Sequence, residues 1–219
     1  MNIDVPQERI EAFRRRWRIH ELMPFGSVVR DDFGPDSDVD VMVTFEPDAA
    51  HTLFDIAEMQ EEIEEIFGRN VDMVERTSLV NPFIRRAVLQ PGRPRLTPAE
   101  QDLAYFWHMR DALRKLARYV AGKTYADFEG DTLLQDAVVR QLRIVGDAAS
   151  RVSDESAARC PEVPWARVAG LRTVVSHEND RAKLRRIWTA VVEQVPALTA
   201  QLTALFDELE SDAEHDTAA

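Results

Sequence analysis

Gly26-Ser27, followed after ten residues by Asp38-Val39-Asp40, is the sharpest chemical pattern in this sequence. Asp38 and Asp40 stand two apart where a β-branched run predicts a strand, Val39–Phe45, so both carboxylates project from one face. Val39, Val41 and Val43 face the other way, into a core. Two adjacent carboxylates repel, and a cation between them relieves the cost of ionising both. Magnesium prefers carboxylate and phosphate oxygens, which makes this pair a natural site for a metal-bound triphosphate. Glycine at 26 lets backbone approach closely, and the amide and hydroxyl of Ser27 can hold phosphate oxygens. Asp72 opens a second short apolar strand, and a neighbouring strand would bring it to the same metals. That is the two-metal plan for in-line phosphoryl or nucleotidyl transfer.

A second pair, Arg172 and His177, lies far along the chain. A neutral imidazole can take the proton of a ribose 2′-hydroxyl, and a guanidinium can stabilise the charge that develops on phosphorus. Together they suit metal-independent RNA cleavage. On a regular helix a spacing of five is about 140° of rotation, so the two converge only if the helix ends or bends between them, or if each serves a site shared across a dimer.

The elements that must position these residues change character near position 90. The breaker-rich run Gln90-Pro-Gly-Arg-Pro-Arg-Leu-Thr-Pro98 ends in Thr97-Pro98-Ala99-Glu100, a capping-box start. Before it, helical patterns (Gln7–Arg18, Leu53–Phe67, and one opened by Asn81-Pro82) alternate with short strands (Leu22–Phe25, Val39–Phe45, Val71–Val74). After it come helical patterns alone, at Ala99–Ala121, Thr132–Ser153, Trp165–Val175 and Lys183–Leu209, which reads as a bundle of four or five helices. The expected organisation is an α/β domain over 1–92, a linker at 93–97, a helical domain over 98–209 and a flexible acidic tail at 210–219.

Composition narrows the partners. The 219 residues carry a formal net charge of −12, which argues against non-specific binding to DNA or RNA. Residues 98–206 hold 15 Lys/Arg against 14 Asp/Glu, so an RNA contact there is permitted. From Asp207 onward six acids and no Lys or Arg predict a frayed tail. One cysteine, Cys160, excludes an internal disulfide and fits a reducing compartment. With no signal-peptide pattern and no bilayer-length apolar run, a cytoplasmic protein without membrane contact is expected. The Arg14-Arg15-Arg16 run reads as a solvated helix face, and Trp107, Trp165, Trp188 and the methionines as packing.

Gly26-Ser27-x-x-Arg30 through Ser37-Asp38-x-Asp40, with Val71-Asp72 later, resembles the minimal nucleotidyltransferase (MNT) family of the polymerase-β-like fold, over roughly residues 8–90. The resemblance implies a mixed sheet flanked by helices, ATP with two Mg²⁺, and AMP transfer to an acceptor hydroxyl. It implies that Asp38 and Asp40 hold both metals, that Asp72 activates the acceptor, and that Gly26, Ser27, Arg30 and Ser37 contact the nucleotide. Asp31 stands where the family usually has glycine.

Asp136 through Gly146-Asp147, then Pro164-Trp165 and Arg172-x4-His177, resembles the HEPN-fold RNase toxins of the HepT type, over roughly residues 100–205. That resemblance implies an all-α bundle, a homodimer through the helical domain, and RNA or tRNA attacked by Arg172 and His177. The whole chain is then of the α+β class: an MntA-like antitoxin domain fused ahead of a HepT-like toxin domain. In that family the antitoxin adenylylates a tyrosine two residues after the histidine, and here that position is Asn179. Thr173 replaces the usual polar residue after the arginine. With no hydroxyl at 179, neutralisation by contact is expected, because Tyr105, Tyr119 and Tyr125 could stand in only if the bundle brought one close. The alternative is a nucleotidyltransferase acting on another hydroxyl, with the helical domain a non-catalytic dimerisation or substrate-binding module.

Overall fold

A computed structural model of the chain describes residues 6–29, 33–34, 37–89, 96–173 and 181–218. The chain divides into two compact units, Met1–Arg95 and Leu96–Ala219.

The first unit begins with α1 (Gln7–Arg16), which places Glu8 in its first turn and Arg14, Arg15 and Arg16 in its last, as the helix dipole favours. Arg18 adopts a positive φ of 50° and turns the chain into β1 (Ile19–Phe25). β2 (Val39–Phe45) is the middle strand of three, antiparallel to β1 and parallel to β3 (Val71–Glu75). Between β2 and β3 the crossover helix α2 (Leu53–Phe67) starts at a Thr52/Asp55 capping box and stops at Gly68, left-handed at φ 69°. Helix α3 (Pro82–Leu89) closes the unit.

The pleat decides which side chains meet. Val39, Val41 and Val43 are buried with Phe13, Trp17, Met59, Ile63, Ile66 and Phe67, so one sheet face packs on α1 and α2. Arg16 clasps α2 through ion pairs with Glu58 and with Glu62, the latter at 2.7 Å. Trp17 Nε1 donates to the same Glu62 carboxylate at 2.9 Å. Part of the basic run thus joins two helices rather than lying idle in solvent.

In the second unit α4 (Pro98–Val120), α6 (Thr132–Ala149) and α10 (Val195–Ala218) are the long helices. The Thr97/Glu100 capping box opens α4. Phe106, Met109, Leu113 and Leu116 of α4 are buried with Val138, Leu142 and Val145 of α6 and Leu202, Leu205 and Phe206 of α10. Among the described residues four short helices join them: α5 (Tyr125–Gly130), α7 (Asp154–Ala158), α8 (Trp165–Ala169) and α9 (Arg181–Thr189). Sequence periodicity misses α5 and α7 because they are too short to show it. Their caps at Thr124 and Ser153 were the available signals.

Three expectations change. The helix expected over Trp165–Val175 gives way to a 3-10 turn at Gly170–Thr173. The helix expected over Lys183–Leu209 is widened at Ala190–Gln194 into a π turn. Pro196 explains it: its ring lacks an N–H and clashes with the carbonyl four residues back, and a wider turn relieves both. The tail expected to fray instead continues α10 to Ala218. Arg159 reaches across to Glu208 and Asp212, one turn apart on that helix, the latter at 2.7 Å. Arg110 also stacks 3.7 Å over Phe206. Cys160 is a buried free thiol whose pKa burial pushes up to about 11.

Phe13 is wholly buried in the first unit. Phe13→Ala should cost about 3–5 kcal/mol there. In differential scanning calorimetry the transition of residues 1–95 should fall, with that of the helical unit unmoved.

Candidate functional site

β2 delivers the carboxylates because both its edges are hydrogen-bonded. Asp40 is the register partner of Phe25 on β1 and of Asp72 on β3. Register partners on parallel strands share a sheet face, so Asp40 and Asp72 project together, opposite the valines. Asp38 precedes the strand, and the amide of Val39 donates to the Asn70 carbonyl at 3.0 Å, extending the pairing toward it. Asp38 and Asp72 are exposed, and Asp40 is half-buried.

β1 ends at Phe25, and Gly26 turns the chain with φ 72° into a 3-10 turn, Gly26–Val29. A Cβ on Gly26 would lie 2.0 Å from Asp40 Oδ2. The Asp40 carboxylate therefore rests against the bare Cα of Gly26, which holds the glycine turn and the aspartate strand in contact. Ser27 follows in that turn, half-buried.

Among the described residues no three His, Cys, Asp or Glu side chains form a metal-holding group. Asp40 and Asp72 are neighbours across the β2–β3 register. The donor set, carboxylate oxygen throughout, fits a hard divalent cation.

Ser37 plays a local part: its Oγ accepts from the Gly34 amide at 3.1 Å. Arg69, which sequence reasoning missed, donates to the carbonyls of Ser37 at 3.0 Å and Gly34 at 3.3 Å. Its guanidinium also sits 4.9 Å from the Phe33 ring. It ties down the approach to Asp38. The only sequence signal was an arginine between a helix-ending glycine and the next strand. Arg30 and its neighbours Asp31 and Asp32 lie outside the described residues.

In the helical unit Arg172 is exposed on the 3-10 turn Gly170–Thr173. The regular helix α8 has ended at Ala169. What places the turn is Gly146 of α6: a Cβ there would lie 2.2 Å from the Arg172 backbone N and 2.9 Å from its Cα. Backbone packs on backbone at this point, and only glycine permits it. Thr173 Oγ1 donates to the Gly170 carbonyl at 2.9 Å and steadies the turn. His177 and Asn179 lie outside the described residues.

Comparison with known proteins assigns each half. The nucleotidyltransferase domain family matches residues 7–93, and the family described as ribonuclease HepT-like matches residues 109–205. A Caldanaerobacter subterraneus protein named as a candidate RNase is 30% identical over 104 residues, which is 48% of this chain and 93% of that protein. A Thermococcus cleftensis protein named as a candidate ribonuclease HepT is 27% identical over 101 residues, 46% of this chain and 92% of its own. A Methanocaldococcus jannaschii protein named as a candidate protein adenylyltransferase is 24% identical over 102 residues, 47% of this chain and 91% of its own. No solved structure matches the chain. No described helix is long and apolar enough to cross a membrane.

The two glycine contacts generate a paired expectation. Gly26→Ala should displace the Asp40 carboxylate and destabilise the first unit, leaving the helical unit unmoved. Gly146→Ala should cost the helical unit about 1–3 kcal/mol by overpacking, leaving the first unit unmoved. Differential scanning calorimetry of both variants checks it.

Proposed function

Since the chain belongs to the HepT-like ribonuclease family and carries a nucleotidyltransferase domain ahead of that half, we propose that it is a fused toxin–antitoxin enzyme. In it the N-terminal unit binds ATP with Mg²⁺, transfers AMP, and restrains an RNase in the helical unit. The observation that carries the transferase half is the Asp40–Asp72 register across β2 and β3, beside the Gly26 turn.

Asp38 and Asp40 would hold the metal ions, with Asp72 on the neighbouring strand facing the acceptor. Bound magnesium supplies neutralisation of triphosphate charge and orients the α-phosphate for in-line attack. The turn at Gly26-Ser27 offers an amide and a hydroxyl to phosphate oxygens, and Arg69 fixes the loop that leads to Asp38. In the helical unit Arg172 would stabilise negative charge on the scissile phosphate while His177 takes the 2′-hydroxyl proton of RNA or tRNA. Each copy carries one Arg172 and one His177, and a homodimer through the helical unit would complete a shared site.

One observation favours a second function, in which the helical unit is a non-catalytic dimerisation or substrate-binding module and AMP goes to some other hydroxyl. The Thr173 hydroxyl uses its proton in holding its own turn, so it has none to donate to a substrate.

Mg-ATP at 100 times its Kd should raise the stability of the transferase unit by about 2.7 kcal/mol in a thermal shift. Asp38→Asn/Asp40→Asn should abolish that shift, and equal ATP affinity in the two proteins would remove the site assignment. A fragment of residues 96–219 should cleave RNA that the full chain leaves intact. Failure of that fragment, folded and dimeric by light scattering, would favour the non-catalytic module.

A further inference from the structure

Between α6, α8 and α10 of the helical unit lies a cavity of about 420 Å³. Pockets for small organic ligands run from about 300 to 1,000 Å³. Leu142 of α6, Val168 of α8 and Leu198 of α10 give it apolar walls, the first two buried. Leu171 lines it as well, and the next residue in the chain is Arg172. A molecule seated there meets the turn that carries this arginine.

The π turn and the helix after it explain both the hollow and its polarity. Ala190, Gln194, Ala197 and Gln201 follow one another at three- or four-residue steps, so they share one helix face. Two of them are alanines, too short to fill the space, and two carry amides. Glu193 lines the cavity beside Gln194, and the exposed Arg167 lines it from α8. Among the described residues no hydrogen bond or ion pair ties up the side chains of Arg167, Glu193, Gln194 or Gln201. A widened turn inside a long helix is frequent at functional sites.

Apolar walls with two amides, a carboxylate and a guanidinium suit a flat heteroaromatic ring that carries donors and acceptors on its edge. A carboxylate only accepts, so Glu193 selects an exocyclic amine and repels a carbonyl in the same place. An amide both donates and accepts, which matches the amine and the adjoining ring nitrogen of cytosine or adenine. Unstacked bases of single-stranded RNA are recognised through these edges. Arg167 adds positive charge for the phosphate strand that carries the base.

We propose, resting on the RNase function above, that this cavity holds an unpaired cytosine or adenine of the RNA substrate, next to the phosphate that Arg172 contacts. It supplies a base preference that Arg172 and His177 cannot, because those two act on ribose and phosphate, which every nucleotide shares.

Cytidine and uridine differ only at the edge that Glu193 would read, and neither is the nucleotide of the transferase unit. The test is saturation-transfer NMR of the full chain with each nucleoside. Cytidine should bind about tenfold more tightly than uridine. Glu193→Gln should bring the two close to equality, and Ala197→Trp, at an exposed helix position, should fill the cavity and abolish cytidine binding. Melting temperatures verify that both variants fold. A wild type that ignores cytidine or binds the two nucleosides equally overturns the proposal, as does a preference that survives both substitutions. RNA cut by residues 96–219 should break beside cytosine and adenine, and Glu193→Gln should spread the cuts over all four bases at a similar total rate. Cuts that ignore the base in the wild-type fragment overturn the proposal and leave the RNase function standing. RNA left whole by that fragment removes the RNase function, and with it the substrate role of the cavity, whatever the nucleosides do.

Discussion

β2 is bonded along both edges, and a strand so placed cannot slip by one residue without turning Val39, Val41 and Val43 out of the core and Asp40 into it. Each buried valine is worth about 1.5–3 kcal/mol relative to exposure, so the penalty for the wrong register is several times the cost of holding a carboxylate on the correct face. Hydrophobic burial on one side of the strand therefore sets the position of charge on the other. Asp72 inherits its place from the same register, because β3 pairs with β2 residue for residue. Gly26 then completes the arrangement from the end of β1, where a bare Cα lets the turn touch the Asp40 carboxylate.

The helical unit uses the same device with a different element. Gly146 faces the Gly170–Thr173 turn at a distance no side chain allows, and the backbone of Arg172 lies against α6 as a result. A long arginine can sweep a wide arc, but its Cα is held by packing at a glycine. Pro196 widens the helix ahead of it into a π turn without breaking it. Each unit thus uses a glycine contact to fix a candidate side chain, Asp40 half-buried on β2 and Arg172 exposed on its turn.

Joining the two units in one chain fixes their ratio and raises the concentration of each near the other. Within the helical unit, α5 and α9 are joined by Tyr125, whose hydroxyl donates to Glu129 and whose ring lies under Arg185.

The local patterns were legible in the sequence because each rests on few residues and on short-range physics. Alternation marked Val39–Phe45, capping marked the start at Thr97, and Gly68 marked the end of α2. Asp38, Asp40 and Gly26 stood out for the same reason, as residue types whose chemistry is specific at close spacing. Contacts between distant segments were not legible. The touch of Gly26 on Asp40, of Gly146 on Arg172, of Arg69 on the Ser37 carbonyl and of Tyr125 on Glu129 and Arg181 depends on strand register and helix packing. The acidic end reads as unfavourable for structure on composition alone. The placement of Arg159 beside Glu208 and Asp212, and of Arg110 beside Asp207 and over Phe206, supplies opposite charge and an apolar contact to α10. Composition and period determine which elements form and which chemistry they can carry. Tertiary packing decides which of those groups meet, because the free energy that brings them together comes from core residues remote from them in the chain.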